Sequence, residues 1–178
     1  SKGTYGRYVR IELPLRGTLT LAEVEVIVGG RNVAPQGKAS QSSTSNGGEA
    51  KRAIDGKKSQ LFADGGQTHS AEGELKPWWE VDLGEELPIE AVVVYNRGEN
   101  LSNRLNAFIL SVLDGKRGET FKVATPTAPE VSKTYELGGG GPESLVRQAA
   151  MNALTQIRGQ ELKTFETLSK FVREDDAE

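Results

Sequence analysis

Short runs of apolar residues at two-residue spacing organise the first 138 positions of the chain. Tyr8-Val9-Arg10-Ile11-Glu12-Leu13 alternates, and so does Leu21-Ala22-Glu23-Val24-Glu25-Val26-Ile27-Val28 before it ends at Gly29-Gly30. Successive side chains of a strand point to opposite faces, so both runs predict strands with one buried face. Pro77-Trp78-Trp79-Glu80-Val81-Asp82-Leu83-Gly84 reads as a strand entering a sandwich core. Ile89-Glu90-Ala91-Val92-Val93-Val94-Tyr95 is nearly continuous in apolar residues and predicts a central strand. Phe108-Ile109-Leu110-Ser111-Val112-Leu113 predicts another, closed by the turn Asp114-Gly115, and Thr134-Tyr135-Glu136-Leu137 the last. Gly, Pro, Asn and Ser clusters separate the runs, which is the pattern of a β-sandwich.

The pattern then changes. Gly138 to Gly141 make a flexible joint, and Pro142-Glu143-Ser144 suits the first turn of a helix. Leu145, Ala149, Ala153, Leu154 and Ile157 form one helical stripe; Arg158-Gly159 breaks it; Leu162, Phe165, Leu168, Phe171 and Val172 form a second. The expected organisation is a sandwich over 1–138, then a joint and a short αα-hairpin over 139–178, the start of a helical repeat.

Composition narrows the function. The net charge is −3, which does not suit a general nucleic-acid binder. With no cysteine there is no disulfide framework and no thiolate metal site. No apolar run approaches the roughly 18 residues of a membrane span. The chain opens on Ser-Lys-Gly-Thr and looks like an excised segment, so neighbouring domains of a larger parent chain are expected. One histidine leaves few nucleophile–base pairs, no carboxylate pair is singled out for glycoside hydrolysis, and Gly138 to Gly141 lacks the lysine of a phosphate loop. The expectation is a protein that binds rather than catalyses.

The candidate chemistry lies in two stretches. One is Gly65-Gly66-Gln67-Thr68-His69-Ser70; the other runs from Tyr95 through Arg97, Glu99 and Leu101 to Arg104. One histidine and two arginines make a donor cluster suited to a ligand rich in oxygen acceptors, such as sugar hydroxyls, carboxylate or sulfate. If Tyr95 faces the core, period two puts Arg97 and Glu99 on its side, unless the strand has already curled into a loop. Spacing alone equally allows a surface Arg97–Glu99 or Arg104–Glu99 pair, worth little. Trp78 and Trp79 allow a sugar-stacking platform, but their place before an alternating strand predicts core positions for both.

The run from Asn32 to Phe108 resembles the F-type (fucose-binding) lectins and, more broadly, the discoidin or factor V/VIII C-type carbohydrate-binding modules. The resemblance rests on Asn32-Val33-Ala34-Pro35 through Ser43, Ala53-Ile54-Asp55-Gly56, Thr68-His69-Ser70, Pro77-Trp78-Trp79-Glu80-Val81-Asp82-Leu83 and Asn96-Arg97-Gly98-Glu99. It implies a jelly-roll-like antiparallel β-sandwich of the galactose-binding-domain type. It also implies that His69, Arg97 and Arg104 hold the ring oxygen and hydroxyls of an α-fucose; Glu99 lies in the same stretch, and Phe62 or Leu101 is the candidate apolar wall for a methyl or ring face. The family typically has aspartate where this chain has Glu99, and adjacent cysteines where it has Asn100-Leu101. Residues 6–26 resemble the end of such a domain yet come first, so a permuted strand order is expected. That order, with a HEAT-like helical hairpin behind it, resembles periplasmic or secreted multidomain proteins of planctomycete-type bacteria.

The same resemblance implies a structural Ca²⁺ under the binding loops. The matching positions are Ala22, Glu23, Arg52, Asp55, Lys57 and Gly66, with Glu23 and Asp55 supplying carboxylate oxygens and backbone carbonyls the rest, a donor set that Ca²⁺ accepts. Asp55-Gly56 also reads as an ordinary turn. Two functional classes stay open: a non-catalytic module that binds a glycan, fucose-containing by resemblance, and a structural or protein-interaction sandwich that has lost sugar binding.

Overall fold

A computed structural model describes residues 4–137 of the chain. The expected joint and helical hairpin, and the boundary at 138, lie outside the described residues. Alternation builds the first sheet. In β1 (Thr4–Glu12), Val9 and Ile11 are fully buried, while Tyr8, Arg10 and Glu12 are half-buried on the other face. β7 (Trp78–Ile89) runs antiparallel to β1 and sets Val81 opposite Val9 and Trp79 opposite Ile11. β9 (Phe108–Leu113) flanks β1 on its other side, with Leu110 opposite Ile11 and Val112 opposite Val9. With β5 (Lys38–Gln41) and β10 (Glu119–Thr125) at the edges, the order is β10-β9-β1-β7-β5.

The second sheet has the order β11-β8-β3-β4, from β11 (Ser132–Glu136), β8 (Ala91–Tyr95), β3 (Glu23–Val28) and β4 (Arg31–Asn32). Its Val24, Val26, Val92 and Val94 are fully buried and join Val9, Ile11, Trp79, Val81, Leu110 and Val112 in one core. Each such side chain contributes about 1.5–3 kcal/mol on burial. A small ribbon, β2 (Arg16–Gly17) with β6 (Glu74–Leu75), lies apart from both sheets. Every strand pair is antiparallel, and the architecture is the all-β sandwich expected.

Several elements differ from the reading of the sequence. Ile89 ends β7 instead of opening β8. β8 is central, but it alternates: Val93 and Tyr95 lie half-buried on the outer face, where the Tyr95 hydroxyl donates to Glu25 Oε2 at 3.1 Å. Trp79 is a core residue whose Nε1 donates to Ala50 O at 2.9 Å. Trp78 is not: it faces outwards, half-buried, with the Arg10 guanidinium 4.4 Å from its ring. β5 and β10 are edge strands that the apolar pattern did not reveal, because both are largely polar.

β1 lies between β7 and β9, and β3 between β8 and β4, so the N-terminal segment supplies an inner strand to each sheet. Thr4 Oγ1 donates to Leu137 O at 3.1 Å, which puts the two ends of the described chain side by side. Adjacent termini are the condition under which strand order can be permuted without altering the sandwich.

Candidate functional site

The site is assembled from loops at the rim of the sandwich. Leu21 and Ala22, which the alternation puts in a strand, instead run with Leu19 and Thr20 beside Thr68 to Ser70 before β3 begins. Thr68 N donates to Leu21 O at 2.9 Å and Ser70 N to Leu19 O at 3.0 Å. The hydroxyls of Thr68 and Ser70 accept from Leu21 N and Leu19 N in return. On the other side, His69 N donates to Gly48 O at 2.9 Å, and Ser45 N donates to His69 O at 2.9 Å. A Cβ at position 48 would run into the backbone and Cβ of His69, so glycine is required for this approach. His69 is held from both sides and is 2% exposed.

The ring has a defined polarity. Its Nδ1 lies 2.6 Å from Ser70 O. A carbonyl only accepts, so Nδ1 carries the hydrogen in the neutral ring and Nε2 is left as an acceptor. Nε2 receives Arg104 NH1 at 3.1 Å and faces Asn46 Nδ2 at 3.4 Å. Arg104 NH2 donates to Glu72 Oε1 at 3.2 Å. Arg104 rides on a 3₁₀ turn, Ser102–Leu105, pinned to the core by the fully buried Leu105.

Arg97 follows the end of β8, in the loop rather than in the strand. The adjacent Asn96 is fully buried; its Nδ2 donates to Ser102 O at 2.9 Å and to Pro129 O at 2.8 Å, tying the end of β8 to the turn that carries Arg104. Arg97 is 9% exposed, with its guanidinium carbon 4.7 Å from the Phe62 ring centroid, within cation–π range. The Phe62 ring meets His69 edge-on at 5.8 Å. Arg97 Nε donates to Glu99 Oε2 at 3.0 Å, and the same oxygen accepts from Phe62 N at 3.0 Å. The Arg97–Glu99 pair therefore exists, but its arginine is buried. Glu99 and Asn100 take φ of 59° and 62°, left-handed values uncommon outside glycine, in the turn that Leu101 N closes on Gly98 O.

His69, Arg104, Arg97, Phe62 and Glu99 are thus linked in one continuous set, and half-buried Leu101 heads the turn bearing Arg104. Sequence reading missed Glu72 and Asn46. Glu72 sits three residues after His69 on an exposed loop, and Asn46 lies in a Ser/Gly-rich stretch; neither carried a periodic signal.

The positions expected for calcium are Ala22, Glu23, Arg52, Asp55, Lys57 and Gly66. Glu23 is fully buried; its Oε1 accepts Gly56 N at 3.1 Å, while its Oε2 is buried with no hydrogen-bond partner. Burial pushes the Glu23 carboxyl up to about 7; the Gly56 N–H offsets part of this, and the nearby Asp55 carboxylate adds to it. Asp55 Oδ1 accepts Lys57 N at 2.9 Å. Gly66 packs so closely on Lys57 that a Cβ there would lie 2.7 Å from the Lys57 Cβ. Arg52 belongs to the 3₁₀ turn Ala50–Ile54, and Ala22 N donates to Tyr95 O at 2.9 Å. Among the described residues, no cluster of three or more metal-binding side chains exists. Two carboxylates with backbone carbonyls are a set a hard cation accepts, and the orphaned Glu23 oxygen fits such an ion.

A loop-built site of imidazole, guanidinium groups and an aromatic wall at the rim of an antiparallel sandwich is the architecture of a lectin-like domain. The sequence profile described as a NedA-like, galactose-binding domain matches residues 52–143, which is 92 of the 178 residues, and the chain belongs to that family. The chain is 38% identical over 86 residues to a fucolectin of Anguilla anguilla, covering 46% of this chain and 54% of the fucolectin. It spans about half the length of that relative. The lectin domain of lectinolysin, solved in complex with Lewis B antigen, superposes with a TM-score of 0.59 at 31% identity, over 64% of this chain and 81% of that one. A fucose-binding module of Streptococcus pneumoniae superposes with a TM-score of 0.58 at 30% identity, over 65% of this chain and 82% of that one. Among the described residues, no helix is long and apolar enough to cross a membrane.

Proposed function

We propose that this domain is a non-catalytic carbohydrate-binding domain that takes the terminal sugar of a glycan, α-fucose being the first sugar to test. The observation that carries the reading is the run of contacts from Arg104 to His69, from His69 to the Phe62 ring, and from that ring to Arg97. The guanidinium groups donate and the Glu72 and Glu99 carboxylates beside them accept, so one sugar hydroxyl can be engaged in both senses. The Phe62 ring offers an apolar face to a methyl group or ring edge. The names of the fucolectin and of the fucose-binding module support fucose. A shallow monosaccharide site buries few atoms, so Kd is expected on the order of 10⁻⁴ to 10⁻³ M. We place the domain outside the cytoplasm, where such glycans are exposed.

We also propose that Ca²⁺ sits beneath the site. The Glu23 and Asp55 carboxylates would hold it, with the backbone carbonyls of Ala22, Arg52, Lys57 and Gly66. The buried, unpartnered Glu23 Oε2 supports this reading. The ion would keep Glu23 ionised and tie the loops around Asp55 and Gly66 to the start of β3.

A second reading has its own observation. Glu72 and Glu99 already occupy donors of Arg104 and Arg97, as they would in a protein-interaction sandwich that has lost sugar binding. A glycan array followed by calorimetry separates the two. Under the first reading the array shows specific signal, and Arg97→Ala abolishes it while the fold persists, because a charged hydrogen bond is worth about 1.5–3 kcal/mol. A blank array, or an affinity unchanged by Arg97→Ala, overturns it.

A further inference from the structure

Beside the His69 cluster lies a cleft of about 310 Å³ that the site described above does not use. Its walls are the Leu13–Thr18 segment and Asn103, Arg104, Asn106 and Ala107. Arg104 lines it, while His69 and Arg97 do not, so Arg104 belongs to both the cluster and the cleft. The two are also joined through the backbone. Arg16 NH1 donates to Gly73 O at 2.6 Å, and Gly73 N donates to Thr18 Oγ1 at 3.1 Å. Gly73 directly follows Glu72, the carboxylate that holds Arg104.

The chemistry of this lining differs from that of the His69 cluster. No aspartate or glutamate lines the cleft. Arg16 is exposed and makes no ion pair among the described residues. Arg104 and the exposed amides of Asn103 and Asn106 add donors, and Leu15, 72% exposed, supplies an apolar surface. Ala107 holds φ at 60°, a left-handed value that costs a non-glycine residue energy, while its N–H is tied to Pro126 O at 3.0 Å. The wall is therefore a built feature.

We infer that this cleft is a second sugar subsite, for the residue next to the terminal sugar, and that it selects a sugar carrying an anionic substituent, sulfate or carboxylate. Guanidinium groups pair with such oxyanions through charge-assisted hydrogen bonds, and no lining carboxylate repels them. The apolar surface of Leu15 suits the C–H face of a pyranose ring. The His69 cluster, whose guanidinium groups are paired with Glu72 and Glu99, favours a neutral hydroxyl; the cleft favours an anion. This inference rests on the glycan reading of the His69 cluster, and linkage of the two subsites is what would give a longer glycan its affinity.

The test is an NMR titration of the ¹⁵N-labelled full chain with free monosaccharides: methyl glucoside, methyl glucuronoside and glucose 6-sulfate, with methyl α-fucoside titrated separately. One or both anionic sugars should shift Ala107 and the side-chain amides of Asn103 and Asn106, half-saturating at roughly tenfold lower concentration than the neutral glucoside. The relative response to the two assigns sulfate or carboxylate. Arg16→Gln keeps a donor for Gly73 O but removes the charge, and should abolish the preference while leaving the fucoside shifts at His69 unchanged. Equal response to neutral and anionic sugars, no response at Ala107, or a preference that survives Arg16→Gln overturns the subsite. Failure of the fucoside to move His69 while the cleft still responds overturns the reading of the His69 cluster instead.

Discussion

His69 Nε2 and Arg104 NH1 stand 3.1 Å apart, and the arginine is the donor. The direction follows from the other ring nitrogen, which gives its hydrogen to Ser70 O at 2.6 Å. The sequence suggested a cluster of donors only. The structure adds acceptors, because the Glu72 and Glu99 carboxylates sit on the two guanidinium groups. A hydroxyl can both donate and accept there, whereas a sulfate or carboxylate only accepts. The cluster thereby distinguishes sugar hydroxyls from anions.

This tautomer is directly measurable, because the chain has one histidine. At a pH where the ring is neutral, long-range ¹H–¹⁵N spectra should show Nδ1 protonated and Nε2 bare. Protonation at Nε2 instead would rule out the hydrogen bond from Arg104, whose guanidinium cannot accept.

Glu72 should restrain ligand binding. Its carboxylate occupies Arg104 NH2 at 3.2 Å and lies 3.5 Å from His69 Nε2, yet its side chain is 64% exposed. Exposed pairs are worth about 0.2–1 kcal/mol. Glu72→Gln should therefore tighten glycan binding by no more than about fivefold, read by calorimetry. Weaker binding would instead make Glu72 a direct ligand contact.

Gly48→Ala should remove binding although position 48 itself is not assigned to the ligand. The added Cβ would collide with His69 backbone atoms that are themselves bonded to Gly48 O and Ser45 N. Overpacking of this kind costs about 1–3 kcal/mol. A lower Tm and a displaced His69 resonance are expected; wild-type Tm and affinity together would show that the loop yields freely.

The sheets were legible in the sequence where one face is buried and the other wet. Val9 and Ile11, or Val24 and Val26, mark their strands by alternation alone. β10 was not legible, because an edge strand with Glu119, Thr120 and Lys122 in water carries little periodic signal. Tyr95 misled for a related reason: an unbroken apolar run hides which side faces the core, and only pairing across β3 settles it. At the site, His69, Arg97 and Arg104 stood out through family resemblance, not through spacing. Glu72 and Asn46 reach His69 from loops whose approach depends on long-range contacts, and no local pattern encodes those.

Calcium should raise Tm. A cation that binds only the folded chain stabilises it by RT ln(1 + [L]/Kd), about 2.7 kcal/mol at a hundredfold excess over Kd. Chelator should lower Tm, and Asp55→Ala should erase the difference. Identical melting curves in chelator and in millimolar calcium would remove the ion from the account and leave the buried Glu23 oxygen unexplained.

Asp82 should make the sandwich sensitive to acid. Arg7 grips both its oxygens, Nε to Oδ1 at 2.7 Å and NH2 to Oδ2 at 2.9 Å, and Gly84 N donates to Oδ1 at 2.8 Å. The Arg7 guanidinium holds the Asp82 carboxyl below the usual carboxylate range, against an opposing effect of partial burial. A depressed value in the fold means that the unfolded chain binds the proton first. The stability this pair contributes is then present above the unfolded value, about pH 4, and is lost as pH falls through the lower folded value. With side chains 34% and 29% exposed, solvent screens the pair, so the contribution is modest. Thermal melts of the wild type and of Asp82→Asn should differ by a constant amount above about pH 5 and converge below about pH 4. A Tm gap that stays constant down to pH 2 would show that Asp82 stabilises the β1–β7 pairing by shape and hydrogen bonding, not by its charge.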